Sequence, residues 1–290
     1  MGQGYCILAA MTKRRDDFSH SDEEAGGREP FVDAELYDYE YRRRRADVTF
    51  YRQLARNRME FVGGSIVDLA CGSGRLLVPL LRDGHTVVGI DRSAEMLAAA
   101  QRRIRRLSLR RQQQCTLVRA DLRAYALRRK ATLAIAAFHS VQHLSSDESF
   151  VCFLAQTRAS LLKGAWLVFD VLPPDPTWLG RDSTRRWAKT AFRHPTTRQR
   201  FVYTTNHTFD ASSKLLHIRL YYQPVDGKGQ KNGPERVIRL CHRQFWPSDI
   251  RTMLGQSGFR LVEAFGGFDG RILDDCPEGA DEHIYLAVAV

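Results

Sequence analysis

IVDLACGSGRLLVPL, residues 66–80, joins an apolar run carrying an acid to a turn of small residues and then to a leucine-rich segment. The pattern predicts a strand over SIVDLA, a turn at Cys71, Gly72, Ser73 and Gly74, and a helix beginning near Arg75. Glycine adopts backbone conformations closed to other residues and lets a ligand approach the main chain closely. The helix start beyond it offers unpaired N–H groups and a positive dipole end, suited to a carboxylate or a phosphate. A purely structural tight turn uses the same letters, so its meaning rests on its neighbours.

Those neighbours are acidic. The next strand-like run, TVVGID, ends at Asp91, where an acid can accept both hydroxyls of an adenosine ribose. The third glycine of a dinucleotide turn is absent. A third run, CTLVRAD, ends in Asp121-Leu122; the acid can accept from an exocyclic amine and the Leu122 N–H can donate to a ring nitrogen. Acids at the carboxyl ends of consecutive parallel strands share one crevice.

Working outward, β-branched or apolar runs recur at 65–70, 86–90, 115–120, 132–138 and 165–171 with helix-patterned segments between them, which predicts an α/β domain with a parallel sheet covered on both faces. Before it, residues 1–30 read as a disordered leader and 31–60 as a helical lid, with AELYDYEYRRRRADVTFYRQLARN patterned as amphipathic helix. The core spans 61–174. After LVFDVLPPDP the rhythm changes: RQRFVYTTNHTFD, KLLHIRLYYQPVDG and PERVIRLCHRQFW alternate like strands, so 175–246 read as an inserted antiparallel meander covering a substrate or joining a homodimer. Residues 247–290 return to the core with a helix capped at Ser248 or Asp249 and ended by Gly258, then the strands RLVEAFGG and HIYLAVAV.

DLACGSG, GIDRSAEML and RADL together resemble the first three motifs of the class I S-adenosylmethionine-dependent methyltransferases. The resemblance covers residues 36–174. It implies a Rossmann-like, mostly parallel seven-stranded sheet whose last strand is antiparallel, and S-adenosyl-L-methionine as cofactor. It further implies that Ala70, Gly72 and Gly74 frame the methionine part, that Asp91 holds the ribose, that Asp121 and Leu122 read the adenine, and that Met96 packs on the purine. Asp68, Cys71, Arg92 and Phe138 belong to the same cofactor set. Arg75 either pairs with the methionine carboxylate or is an exposed first-turn arginine.

FHSVQH, residues 138–143, resembles the loop after the fourth strand in small-molecule N-methyltransferases, particularly the N,N-dimethyltransferases of nucleotide-linked amino sugars. AELYDYEYRRR resembles their lid. The Asn- or Asp-Pro-Pro-aromatic stretch of nucleic-acid amino methyltransferases is missing, and Thr132 stands where an acid is common. The implied reaction is methyl transfer to a small, amine-bearing acceptor that carries negative charge. His143 is the first candidate for base or substrate orienter, Tyr37 on the lid the second, and His139 a third, on the acceptor side. His143 reads equally as a structural residue that caps a helix or satisfies a backbone carbonyl. Arg219, Arg239 and Arg243 are placed to hold a carboxylate or diphosphate, or else to keep an exposed sheet soluble.

Composition limits the alternatives. The net charge is +11, and residues 175–246 alone hold 14 Lys or Arg against 5 Asp or Glu, a field that favours an anionic partner. A polymer acceptor, RNA or protein, would use the arginine-rich helix QRRIRRLSLRRQQQ; a third reading is a cofactor-binding partner without catalysis. No run approaches the roughly 18 apolar residues of a membrane span. MGQGYCILAAMTKRR puts its apolar piece before its basic cluster, unlike a secretory signal, and Cys6 stands where a myristoylated Gly2 would want Ser or Thr. The six cysteines are scattered without metal-ligand spacing, so the expectation is a cytoplasmic chain with free thiols and no metal.

Overall fold

A computed structural model describes residues 31, 33–59, 63–273 and 280–290. The leader read over 1–30, with Gly2 and Cys6, lies outside the described residues, as does Cys276. The chain divides into two compact units: Tyr41–Pro173 with Phe245–Val290, and the described residues up to Glu40 with Pro174–Gln244.

The first unit is built on seven strands: β1 (Ser65–Leu69), β2 (Thr86–Asp91), β3 (Cys115–Arg119), β4 (Ala131–Ala136), β5 (Leu161–Val171), β10 (Phe259–Phe265) and β11 (His283–Ala289). Their order across the sheet is β10-β11-β5-β4-β1-β2-β3. β1 to β5 pair in parallel, and β11 runs antiparallel to both β5 and β10. Thus the α/β class and the reversed last strand expected from the sequence are what the chain forms.

The strands' near-continuous apolar runs follow from burial on both faces. Alternate residues serve opposite sides. Ile66, Leu133, Ile135, Val168, Ile284 and Leu286 pack with Tyr51, Leu54 and Met59 of helix α2 (Ala46–Met59) and Leu77, Leu80 and Leu81 of α3 (Leu77–Asp83). Val67, Leu69, Ala134, Leu167, Phe169 and Tyr285 pack with Phe150, Phe153 and Leu154 of α6 (Asp147–Ser160) and Ile250 and Leu254 of α8 (Pro247–Gln256). Two more helices flank the β2–β3 edge, α4 (Ala94–Ile104) and α5 (Leu109–Gln113). At the amino end of the sheet, the Thr132 hydroxyl lies 3.0 and 3.1 Å from the carbonyls of Gly63 and Ser65 and shares its one proton between them, so the departure from an acid at this position ties the entry to β1.

The second unit is a four-stranded antiparallel sheet of β6 (Trp187–Arg193), β7 (Arg200–Asp210), β8 (Leu215–Val225) and β9 (Arg236–Arg243), in that order. One face is apolar. Tyr203, Leu220, Tyr222 and Ile238 receive Leu36 of α1 (Ala34–Tyr41), and Phe209, Leu216, Ile218 and Leu240 receive Trp178 and Leu179 of α7 (Pro176–Leu179).

Four sequence expectations are corrected. The insertion has four strands, not three: β6 is mostly exposed and its pairing with β7 slips between Trp187 and Thr190, which destroys the period-2 signal. The segment read as one helix through Arg42–Arg45 breaks into α1 and α2, because four adjacent arginines repel one another and bring nothing to bury. The arginine-rich helix likewise breaks after Ile104 into α4 and α5. Finally, α8 starts from Trp246 with Pro247 in its first turn and no side-chain cap, rather than from Ser248 or Asp249. Among the described residues no helix is long and apolar enough to cross a membrane.

Candidate active site

The turn after β1 departs from ordinary backbone at three points: Ala70, Gly72 and Gly74 have φ of 57°, 54° and 83°. A Cβ built on Gly72 would meet nothing within 4 Å, whereas one on Gly74 would lie 3.4 Å from the Ala100 Cβ. Gly72 therefore keeps an open approach to the main chain, while Gly74 serves close packing under α4. The helix begins at Leu77, two residues later than expected from the sequence. The Gly72 N–H donates to Asp91 Oδ2 and the Ser93 N–H to Asp91 Oδ1, both at 2.8 Å. Each carboxylate oxygen keeps a second lone pair. Burial pushes the Asp91 carboxyl above its usual range, against the pull of those N–H groups.

Asp68, at 2% exposure, has one oxygen with no hydrogen-bond partner. Its carboxyl is pushed up to about 8, mainly by burial and then by the Asp91 charge, with Arg75 and the Leu77 N–H opposing. A buried, partnerless carboxylate oxygen is costly unless something donates to it. Beside it Cys71 is buried and its thiol pushed well up, which makes it an inert packing group. Met96 is buried at the first turn of α4, its N–H bound to Ser93 Oγ at 3.1 Å. Arg92 is exposed and Leu122 half-buried. Asp121 is engaged by Arg123, whose Nε and Nη2 each reach it at 2.8 Å and hold its carboxyl below the usual range.

Arg75 is not an exposed first-turn arginine. Its guanidinium donates to both oxygens of buried Asp47 and to the Arg44 carbonyl, and lies 4.4 Å over the Phe138 ring. Tyr41 meets the same ring edge-on at 4.8 Å.

Phe138 and His139, directly after β4, both have left-handed backbone, with φ of 62° and 57°. Two consecutive non-glycine residues of this kind cost about 1–3 kcal/mol each unless the surroundings hold them. Asp170 of β5 does so: it accepts the Phe138 N–H on Oδ1 and the His139 N–H on Oδ2, each at 2.8 Å. Tyr51 also donates to Asp170 Oδ1. Both side chains are fully buried, and burial raises the Asp170 carboxyl while the His139 side and Tyr51 oppose it. His139 itself is buried, with Nε2 2.5 Å from Glu282 Oε2 and 3.5 Å from Asp170 Oδ2. His143 ends a short 3₁₀ turn, Ser140–His143, with Nδ1 enclosed; burial first, then Arg92 and His139, lower it to about 3.

The carboxyl edge thus brings together Asp68, Ala70, Cys71, Gly72, Gly74, Arg75, Asp91, Phe138 and His139. Tyr37, Arg219, Arg239 and Arg243 belong to the other unit. There Tyr37 lies on α1 with its ring 5.9 Å from that of Phe31, and Arg219 stands directly opposite Arg239 in the β8–β9 register. Arg243 is buried and donates to the Ser213 carbonyl at 3.1 Å. Asp47, Tyr51, Asp170 and Glu282 went unread in the sequence. The one available signal was an acid inside the apolar run LVFDVL.

Comparison with known proteins gives four findings. Residues 66–164 match a family model described as a methyltransferase domain. The dTDP-3-amino-3,4,6-trideoxy-alpha-D-glucopyranose N,N-dimethyltransferase of Streptomyces venezuelae is 27% identical over 248 residues, covering 82% of this chain and 94% of that protein. The dTDP-3-amino-3,6-dideoxy-alpha-D-glucopyranose N,N-dimethyltransferase of Streptomyces fradiae is 30% identical over 52% of this chain and 55% of its own length. In fold the chain is similar to the sugar N-methyltransferase KedS8 from Streptoalloteichus, with a TM-score of 0.66 at 19% identity over 88% of this chain and 93% of that one.

Proposed function

We propose that this chain, a class I S-adenosylmethionine-dependent methyltransferase with its methyltransferase domain at residues 66–164, methylates the amino nitrogen of a nucleotide-linked amino sugar. The observation that carries this reading is the extent of the likeness. The match to the Streptomyces venezuelae enzyme takes in 94% of that protein, well beyond the domain that holds a cofactor.

The residues fit S-adenosylmethionine on their own terms. The partnerless oxygen of Asp68 suits the ammonium of a methionine tail, and the open face at Gly72 suits a ligand pressed to the main chain. Asp91 keeps lone pairs for two ribose hydroxyls, with Asp121 and Leu122 proposed for the adenine. The donor supplies a methyl already activated on a sulfonium, so the protein's task is alignment and exclusion of water. Arg75, fixed by Asp47, holds Phe138 in place beside the turn.

The acceptor is taken to be anionic, with Arg219 and Arg239 holding its diphosphate by paired N–H donors. Tyr37 and the insertion are assigned to its side of the reaction, and a homodimer through the insertion is part of the same reading. So is the cytoplasm as compartment, since Cys71, Cys115, Cys152 and Cys241 are not joined in disulfides.

The test is direct. The chain is incubated with labelled S-adenosylmethionine and dTDP-3-amino-3,6-dideoxyglucose, and products are read by mass spectrometry. One or two added methyl groups are expected. Tight cofactor binding with no product from this or related dTDP-amino sugars overturns the substrate reading and favours RNA, protein or a non-catalytic role.

A further inference from the structure

We propose that His139, oriented by Glu282, is the proton acceptor for the substrate amine, and that Glu282 is its positioning residue. The inference rests on the amine-methylating reading above. At neutral pH an aliphatic amine is an ammonium and has no lone pair to give. Its N–H bond must break first, with the electron pair staying on nitrogen and the proton passing to a base.

Two histidines stand near the carboxyl end of β4. His143, the first expectation from sequence, is half-buried with its Nδ1 enclosed and lies near the Arg92 and His139 charges, which oppose its protonation. His139 is arranged differently. Glu282 Oε2 lies 2.5 Å from Nε2, a hydrogen bond that places the ring proton on Nε2 and leaves the lone pair on Nδ1. The ring is further fixed by stacking on Phe138, with centroids 5.3 Å apart and planes at 24°, and by the Asp170 hold on its own N–H. A proton arriving at Nδ1 creates an imidazolium flanked by two carboxylates, Glu282 and Asp170. The groups facing His139 are therefore Glu282 ahead of β11, Asp170 on β5, Tyr51 on α2 through Asp170, and His143 on the 3₁₀ turn.

His139, Asp170 and Glu282 are also metal-ligand types, with ligand atoms within 4.8 Å of one another. Two ligands of one ion, at bonds of about 2.1 Å, stand roughly 3 Å apart. The 2.5 Å contact is shorter and is a hydrogen bond.

The experiment has an arm that needs no turnover. Long-range ¹⁵N–¹H correlation on the full, ¹⁵N-histidine-labelled chain reads the tautomer of each ring, with His139→Gln identifying its signal. The Nε2–H tautomer is expected for His139, shifting in Glu282→Gln; an Nδ1–H tautomer overturns the proposal. With dTDP-3-amino-3,6-dideoxyglucose, His139→Gln is expected to lower kcat about 100-fold or more. Its Kd for S-adenosylmethionine should stay within about twofold, which also reports folding. Glu282→Gln should lower kcat about tenfold and flatten the acid limb of the pH–rate profile, with Glu282→Asp partly restoring both. His139→Gln with more than half the normal kcat overturns it, as does activity lost to a chelator and restored by Zn²⁺. If the chain methylates none of the dTDP-amino sugars, the substrate reading fails, and the tautomer measurement still decides the Glu282–His139 arrangement.

Discussion

The Gly72 N–H donates to Asp91 Oδ2 at 2.8 Å, so the turn after β1 is tied to the end of β2 before any ligand arrives. The contact preorganises the two elements assigned to the cofactor. Asp91→Asn keeps the shape but removes the charge, weakening both this bond and any bond to ribose hydroxyls. Hydrogen bonds to charged groups contribute about 1.5–3 kcal/mol, so the Kd for S-adenosylmethionine should rise about 10- to 100-fold by calorimetric titration. A Kd within about twofold of the parent would remove Asp91 from the cofactor site.

Asp68 makes a pH prediction of definite sign. Its folded carboxyl is raised to about 8 from an ordinary value of 3.8. Between those values the folded chain holds a proton that the unfolded chain has released. Its contribution to stability is complete below pH ~4 and is lost as pH rises through about 8, with a slope of up to ~1.4 kcal/mol per pH unit. Urea unfolding of the cofactor-free chain across this window should show the decline, and Asp68→Asn should flatten it. The ionised form is the one that suits a methionine ammonium, so cofactor affinity should climb with pH over the same range. Equal slopes in parent and variant would sink the account.

The turn after β1 was legible because it is local: SIVDLA, two glycines and the acids at the next strand ends each announce themselves within a few residues. The parallel sheet was legible for a related reason, since strands buried on both faces leave unbroken apolar runs. What escaped was non-local. Glu282 meets His139 across 143 residues, and Asp170 reads as a polar intrusion in a strand rather than the clamp on two left-handed residues that it is. His139 and His143 look equivalent in FHSVQH; the carboxylates of Glu282 and Asp170 beside His139 set them apart. β6 hid behind a register slip.

His143 gives a contrasting sign. Its folded value is lowered to about 3 from 6.5, by burial first. The unfolded chain takes up a proton that the folded chain refuses, so the stability this group contributes above pH ~6.5 is lost as pH falls through about 3. His143→Asn should reduce the steepness of acid unfolding in that window relative to the parent. In the same variant kcat should fall through altered packing of the loop, while the shape of the pH–rate profile stays as it was. Disappearance of an ionisation from that profile would make His143 the base after all.

Arg219 and Arg239 are direct cross-strand partners in β8 and β9. A diphosphate lying across this pair would receive paired N–H donation from two guanidinium groups. Arg219→Ala and Arg239→Ala should each raise KM for a dTDP-linked amino sugar about tenfold, leaving the Kd for S-adenosylmethionine unchanged. Salt should raise KM in the parent more than in either variant, because screening acts on the charge that the variants lack. An unaltered KM in both would assign these arginines to the solubility of the sheet and move acceptor recognition elsewhere.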